Sequence, residues 1–298
     1  MPSEKLKSLI ALRRANPYDP SQSIEELRGP DPDPGSIPRA NTEVEVCDMD
    51  GVYGEWVVCG NPANEGVFVF FHGGGYYRGS AEASRRIASN LSAACGCRCL
   101  TVDYRLAPEH PFPAAVDDAY TAYQWVLRQG IESSDVVVGG SSAGGGLAAA
   151  LLAKLKQERG DLPAAAILLS PWTDLTQSAE TFVSNADSDP TISKAYLDRM
   201  AALYLKDIDP KDPIASPVYS DLEGLPPMLI QVGNSETMFG DAEAYAHKAK
   251  RSGVLVEFES YDDVPHGWHN SDHVVPGIPE ALAAIDRIGK FFKAQVAI

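Results

Sequence analysis

Apolar positions in this chain fall into short saturated runs separated by longer amphipathic stretches. Val67 to Phe71, Val136 to Val138, Ala165 to Leu169 and Met228 to Val232 are apolar nearly throughout, and glycines flank the first two. A run with no polar alternation predicts a strand covered on both faces, as in a parallel sheet. Leu255 to Tyr261 predicts the last strand. Thr42 to Cys47 and Tyr53 to Cys59 instead alternate, with Asp50-Gly51 between them, which predicts an antiparallel hairpin opening the domain. Helical spacing fills the intervals: Ala83 to Ala94, Ala114 to Arg128, Gly144 to Glu158, Ala242 to Arg251 and Glu280 to Val296. Strands alternating with helices imply right-handed crossovers and an α/β fold with a mostly parallel central sheet flanked by helices.

Two segments depart from that rhythm. Leu6, Leu9, Ile10 and Arg13 share one helical stripe, so the chain up to about Ala15 reads as a short amphipathic helix that needs a surface to lie on. The proline-rich stretch Gly29 to Gly35 follows as an extended connector. From Ser178 to about Pro217 there is one helical stretch, Ser193 to Leu205, and no strand. This insertion is expected to pack with the N-terminal segment as a helical cap. The organisation expected is a cap segment 1–40, a catalytic domain in two parts, 41–177 and 218–298, and a cap insertion 178–217.

Composition narrows the partners. Twenty-five Lys and Arg against 41 Asp and Glu give a formal charge of −16 over 298 residues, a potential that repels nucleic acid and anionic lipid. No apolar run approaches the roughly 20 residues that span a bilayer, so no membrane insertion is expected. Charged residues crowd the first fifteen positions, which fits no secretory signal, and the expected location is the cytoplasm. Cys95, Cys97 and Cys99 alternate at what reads as a strand entry, but their spacing is not that of a zinc site. Buried thiols are the reading preferred, and neither metal nor organic cofactor is expected.

The chemistry is concentrated in three places. Gly140-Ser141-Ser142-Ala143-Gly144 lies between an apolar strand and an Ala- and Leu-rich helix, the setting of a nucleophile elbow. Ser142, with glycines two positions away on each side, is the candidate nucleophile; a glycine-rich helix cap would explain the motif without catalysis. His72-Gly73-Gly74-Gly75 follows the strand Val67 to Phe71 and offers bare backbone amides. With Ala143, Gly74 and Gly75 are the candidate donors to an oxyanion, while Gly73 supports the loop and His72 braces it. Late in the chain, His266 in Asp263-Val264-Pro265-His266-Gly267 is the candidate base. His269 and His273 read as surface or supporting residues.

Tyr104-Arg105-Leu106-Ala107-Pro108-Glu109-His110-Pro111-Phe112-Pro113-Ala114-Ala115 and Ser170-Pro171-Trp172-Thr173-Asp174-Leu175-Thr176 complete a pattern that resembles the hormone-sensitive lipase-like family of bacterial esterases, over about Val67 to His269. The resemblance implies the α/β-hydrolase fold, a Ser-acid-His triad in that chain order and a cap over the acyl pocket. It also implies short or medium acyl chains and a homodimer through an edge strand. The family more often has Asp followed by Pro-Leu where this chain has Gly233-Asn234-Ser235-Glu236-Thr237, so Glu236 becomes the acid and Asp241, read as a helix N-cap, its rival.

The function expected is a serine carboxylesterase that takes a small-molecule ester. The same triad would serve an amidase, a lactonase or a thioesterase, because fold does not fix the bond cleaved. From another class, a catalytically silent receptor on the same fold is the alternative; it resembles the gibberellin receptors, which lack the working histidine. Tyr76, Tyr77, Trp172, Tyr196 and Met200 are candidates to line the pocket.

Overall fold

A computed structural model describes residues 2–29 and 34–296. The expected connector between Gly29 and Gly35 lies mostly outside the described residues. Two short helices come first, α1 (Glu4–Ala15) and α2 (Ile24–Arg28). The second is held by a capping box between Ser23 and Glu26 and carries two apolar positions, Ile24 and Leu27, that pack on the core but are too few to set a helical period. The hairpin β1 (Thr42–Met49) and β2 (Val52–Cys59) follows, its turn carried by Asp50 and Gly51 at φ +59° and +92°.

The chain then alternates through β3 (Val67–Phe71), α3 (Arg85–Cys95), β4 (Arg98–Asp103), α4 (Ala114–Arg128), β5 (Val136–Ser141), α5 (Ala143–Glu158) and β6 (Ala165–Leu169). After β6 come α6 (Thr181–Ser184) and α7 (Lys194–Leu205), then β7 (Met228–Gly233), α8 (Phe239–Arg251), β8 (Val256–Tyr261) and α9 (Pro279–Gln295). The described residues between β6 and β7 contain no strand.

Eight strands form one sheet in the order β1-β2-β4-β3-β5-β6-β7-β8. β2 is antiparallel to both its neighbours, and from β4 onward every pair is parallel. The saturated runs thus sit in the middle of the sheet. In β3, Val67, Val69 and Phe71 pack on one face with α4 and α5, while Phe68 and Phe70 pack on the other with α3 and α9. Each side chain of this size taken fully out of water is worth about 1.5–3 kcal/mol, which is why both faces must be covered. α5 is buried along most of its length and forms the central prop under β5.

α1 finds its surface beside the C-terminal helix α9. Leu6 and Leu9 join Val264, Trp268, Ile278, Ala281 and Ala284 in a separate apolar cluster beneath the loop that carries His266. Cys95, Cys97 and Cys99 are free and buried, but they do not alternate along a strand: Cys95 ends α3 and only Cys99 lies in β4. A left-handed Gly96 turns the chain between them, a helix stop that the alternating cysteines disguised. No described helix is long and apolar enough to cross a membrane.

Candidate active site

β5 ends at Ser141, and the next residue, Ser142, holds φ +58° and ψ −121° before α5 begins. A non-glycine residue is rarely found there, and the strain is sustained because neighbouring backbone fixes it on all sides. The Ser142 amide donates to the Leu169 carbonyl in β6 at 2.8 Å, and its own carbonyl accepts from Gly146 and Trp172. The glycine two positions beyond is required by space: a Cβ on Gly144 would collide with the carbonyl oxygens of Phe71 and His72. Ser142 is 8% exposed, and that exposure opens into a cavity of about 340 Å³.

The glycine loop after β3 comes up against this elbow, so close that a Cβ on Gly73 would lie 3.3 Å from the Ser142 Cβ. Gly74 and Gly75 take positive φ, +115° and +59°, and neither amide has a hydrogen-bond acceptor among the described residues; nor has that of Ala143, the first residue of α5. Gly74 and Gly75 line the same cavity as Ser142, and Ala143 follows the serine at the N-terminus of α5, where the backbone dipoles favour negative charge.

His72 braces this loop. Its Nδ1 lies 2.8 Å from the Gly73 carbonyl, and its ring stacks on Tyr104 at 4.1 Å. Burial pushes its pKa down, so it stays neutral. The long motif that begins at Tyr104 does the rest of the bracing. The Tyr104 hydroxyl donates to the His72 carbonyl, the Ala107 amide to Tyr76, and the Phe112 amide to Tyr204 in α7.

On the opposite side of the cavity, Glu236 is fully buried and engages three groups. Its Oε1 accepts from the Gly233 amide at 2.6 Å and from Ser170 Oγ at 2.7 Å, and its Oε2 lies 2.7 Å from His266 Nδ1. A carboxylate with two donors already on one oxygen is an acceptor at the other, so the Nδ1 proton belongs to the imidazole and Nε2 is left as the acceptor. His266 and Ser142 line the same cavity, though no hydrogen bond of 3.5 Å or less joins them in this arrangement. Asp241 is elsewhere. It lies in the first turn of α8, whose N-cap is Met238, and its carboxyl oxygens have no hydrogen-bond partner. Burial first, then the charge of Asp174, drive its pKa well up. It makes no contact with His266, and the N-cap reading of it is wrong by a turn.

Several residues that hold the histidine side were not legible beforehand. Arg13 of α1 is partly buried and donates to the His266 carbonyl, to Thr191 Oγ1 at 2.9 Å and to Ser271 Oγ at 2.9 Å. Burial lowers its pKa to about 10, with Asp189 and Glu236 pulling the other way, so it remains charged. Asp189, in the segment between α6 and α7, accepts from the amides of Thr191 and Ile192 and from both donors of Thr237, next to the acid. Asn185 donates to the carbonyls of Asn234 and Glu236. The only advance sign was Arg13 on an otherwise apolar stripe.

His269 is buried rather than at the surface. Its Nε2 lies 3.1 Å from Gln231 Oε1, and burial with the His266 charge lowers its pKa to about 3. Of the five aromatic and Met candidates only Tyr196 lines the cavity; Tyr76 and Trp172 are buried against each other, and Tyr76 stacks on Tyr204.

Comparison with known proteins places this geometry. A family profile described as the α/β hydrolase fold matches residues 68–270. An acetyl-hydrolase of Streptomyces hygroscopicus is 41% identical over 241 residues, covering 80% of this chain and 79% of that one. An esterase of Acinetobacter venetianus is 37% identical over 82% of this chain and 79% of its own. Among solved structures, an esterase from the bacterial hormone-sensitive lipase family superposes with a TM-score of 0.93 at 40% identity, over 100% of both chains. Another esterase, whose crystal was soaked with p-nitrophenyl butyrate, superposes at 0.92 and 35% identity, over 98% of this chain and 99% of that one.

Proposed function

Since the chain belongs to the α/β-hydrolase family and is a carboxylic ester hydrolase of the hormone-sensitive lipase-like group, we propose that it works through an acyl-enzyme on Ser142, with His266 as base and acid and Glu236 as the orienting carboxylate. The observation that carries this reading is the 2.7 Å contact between buried Glu236 Oε2 and His266 Nδ1, on a ring that faces the same cavity as the strained Ser142.

In the mechanism proposed, the Ser142 hydroxyl turns toward His266 Nε2 and gives up its proton as Oγ attacks the ester carbonyl carbon. Charge develops on the former carbonyl oxygen, within reach of the Gly74, Gly75 and Ala143 amides. Preorganised donors of this kind are worth about 3 kcal/mol each in the transition state. The imidazolium, steadied by Glu236, then protonates the leaving alkoxide, and the alcohol departs. Water, deprotonated by the same Nε2, attacks the acyl-enzyme; the proton returns to Ser142 and the acid is released.

A cavity of about 340 Å³ is at the small end of ligand pockets and supports short- to medium-chain acyl esters. The Tyr196 hydroxyl, 3.2 Å from where a Gly75 Cβ would be, closes it above the loop. The segments 1–40 and 178–217 act as a cap over it in this reading. Ser142→Ala is the decisive variant. Hydrolysis of 4-nitrophenyl acetate and butyrate should fall by a factor on the order of 10⁴ to 10⁶, and a pre-steady-state burst given by the parent enzyme should vanish. Full turnover by Ser142→Ala would overturn the assignment.

A further inference from the structure

Among the described residues the cavity is lined by four arginines, Arg13, Arg28, Arg78 and Arg86, and by no Asp or Glu. In a chain with 25 cationic and 41 anionic side chains, this reverses the charge of the rest of the molecule. The four are not equivalent. Arg13 is occupied with His266, Thr191 and Ser271. Arg28 grips Glu109 through two nitrogens, at 2.9 and 2.6 Å, and donates to the carbonyls of Tyr77 and Ala107. Arg78 gives one bond, to the Leu27 carbonyl, lies over the Tyr77 ring, and has no ion pair among the described residues.

Arg86 stands out. Among the described residues its one ion-pair contact is a 3.7 Å approach to Asp272, and it donates no hydrogen bond. A guanidinium held by one long ion contact and by no hydrogen bond keeps its outer donors for an acceptor in the cavity. Arg86 projects from the first turn of α3 toward the 3₁₀ turn Trp268–His273, which begins two residues after His266 and supplies Asn270, Ser271 and His273 to the same wall. The base must protonate the leaving oxygen, so the alcohol part of the ester leaves on this side.

We propose that the alcohol part of the natural ester carries an anionic group, in the simplest case a carboxylate, received by Arg86 and drawn in by Arg78 near the loop. This rests on the assignment of Ser142 and His266 above. Guanidinium and carboxylate match two donors to two acceptors, which a neutral ester cannot reproduce. Local arginines are also what an enzyme of charge −16 needs if its substrate is an anion, because the long-range field otherwise repels it.

The test compares 4-acetoxybenzoate with its methyl ester, each kcat/KM divided by the ester's rate of hydroxide hydrolysis. The free carboxylate should be preferred about tenfold at low salt, and the preference should shrink as salt screens it. Arg86→Met should bring the ratio near one and Arg86→Lys should keep part of it. Asp272→Asn, which removes the competing carboxylate, should raise it. A second pair, mono-4-nitrophenyl succinate and 4-nitrophenyl butyrate, places the charge in the acyl part instead and should show no such preference. A parent enzyme that favours the methyl ester, a preference that survives in Arg86→Met, or a preference confined to the succinate would each overturn the proposal while leaving Ser142 in place. Failure to hydrolyse any of the four esters would overturn the assignment of Ser142, and this inference with it.

Discussion

Ser142 and His266 face one cavity from supports of opposite kinds. The serine is fixed by backbone alone: its amide to Leu169, its carbonyl from Gly146 and Trp172, and bare glycines where side chains would collide. These contacts belong to β3, β5, α5 and the end of β6, the packed middle of the sheet. The histidine is held by side chains from segments far apart in the chain: Glu236, Ser170 behind it, Arg13 from the N-terminal helix, and Asp189 and Asn185 from the insertion. A serine under backbone strain needs a rigid frame, whereas the histidine is carried on a loop and must be tied down by hydrogen bonds. The lesson is that the two halves should fail differently when cut.

The largest separation is expected between Glu236→Gln and Gly144→Ala. Glu236→Gln keeps an acceptor for Gly233 and Ser170 but turns a donor toward His266, favouring the wrong tautomer. It should lower kcat by about 10³ to 10⁴ with an unchanged melting temperature. Gly144→Ala should instead reduce stability by about 1–3 kcal/mol or more, seen in urea unfolding, because the Phe71 and His72 carbonyls have no room to retreat. Equal loss of stability in both variants would erase the distinction drawn here.

Arg13→Ala should come next. It removes the charged tether from the His266 carbonyl, and kcat should drop about tenfold with little change in KM, while Arg13→Lys restores part of it. An Arg13→Ala enzyme with full kcat would show that the histidine loop holds itself.

Asp241→Asn gives the smallest effect, and its sign follows from linkage. The Asp241 pKa is raised in the folded state, so the unfolded chain loses this proton first as pH rises. Stability from this group is therefore fully present below the unfolded pKa of about 3.9 and is lost as pH climbs toward the folded value. Asparagine has no proton to lose. The melting temperature of Asp241→Asn relative to the parent should rise between pH 4 and 8, with esterase activity retained; a flat difference would mean that Asp241 is ionised in the fold.

The same contrast explains what could be read in advance. The saturated runs at Val67, Val136, Ala165 and Met228 marked the central strands, because a residue buried on both faces leaves a one-dimensional trace in hydrophobicity. Gly140 to Gly144 marked the elbow for a similar reason: tight turns and close backbone approach demand glycine locally. Glu236 and His266 were legible by order and motif, and the geometry brings them together while leaving Asp241 apart. α2 escaped because its single turn carries only Ile24 and Leu27 on its apolar face, too few to set a period, and Cys95 was drawn into a strand because alternation continued across a helix end.

By itself, then, the sequence determined the sheet, the sharp turn and the glycine loop, all of which rest on short-range demands of backbone and burial. Only the tertiary structure decided that Arg13, Ser170, Asn185 and Asp189 converge on the acid and the histidine, and that arginines line a cavity in an acidic protein. Hydrogen bonds between residues 48 to 253 positions apart leave no periodicity behind, because each partner is chosen by a neighbour that the chain reaches only after folding.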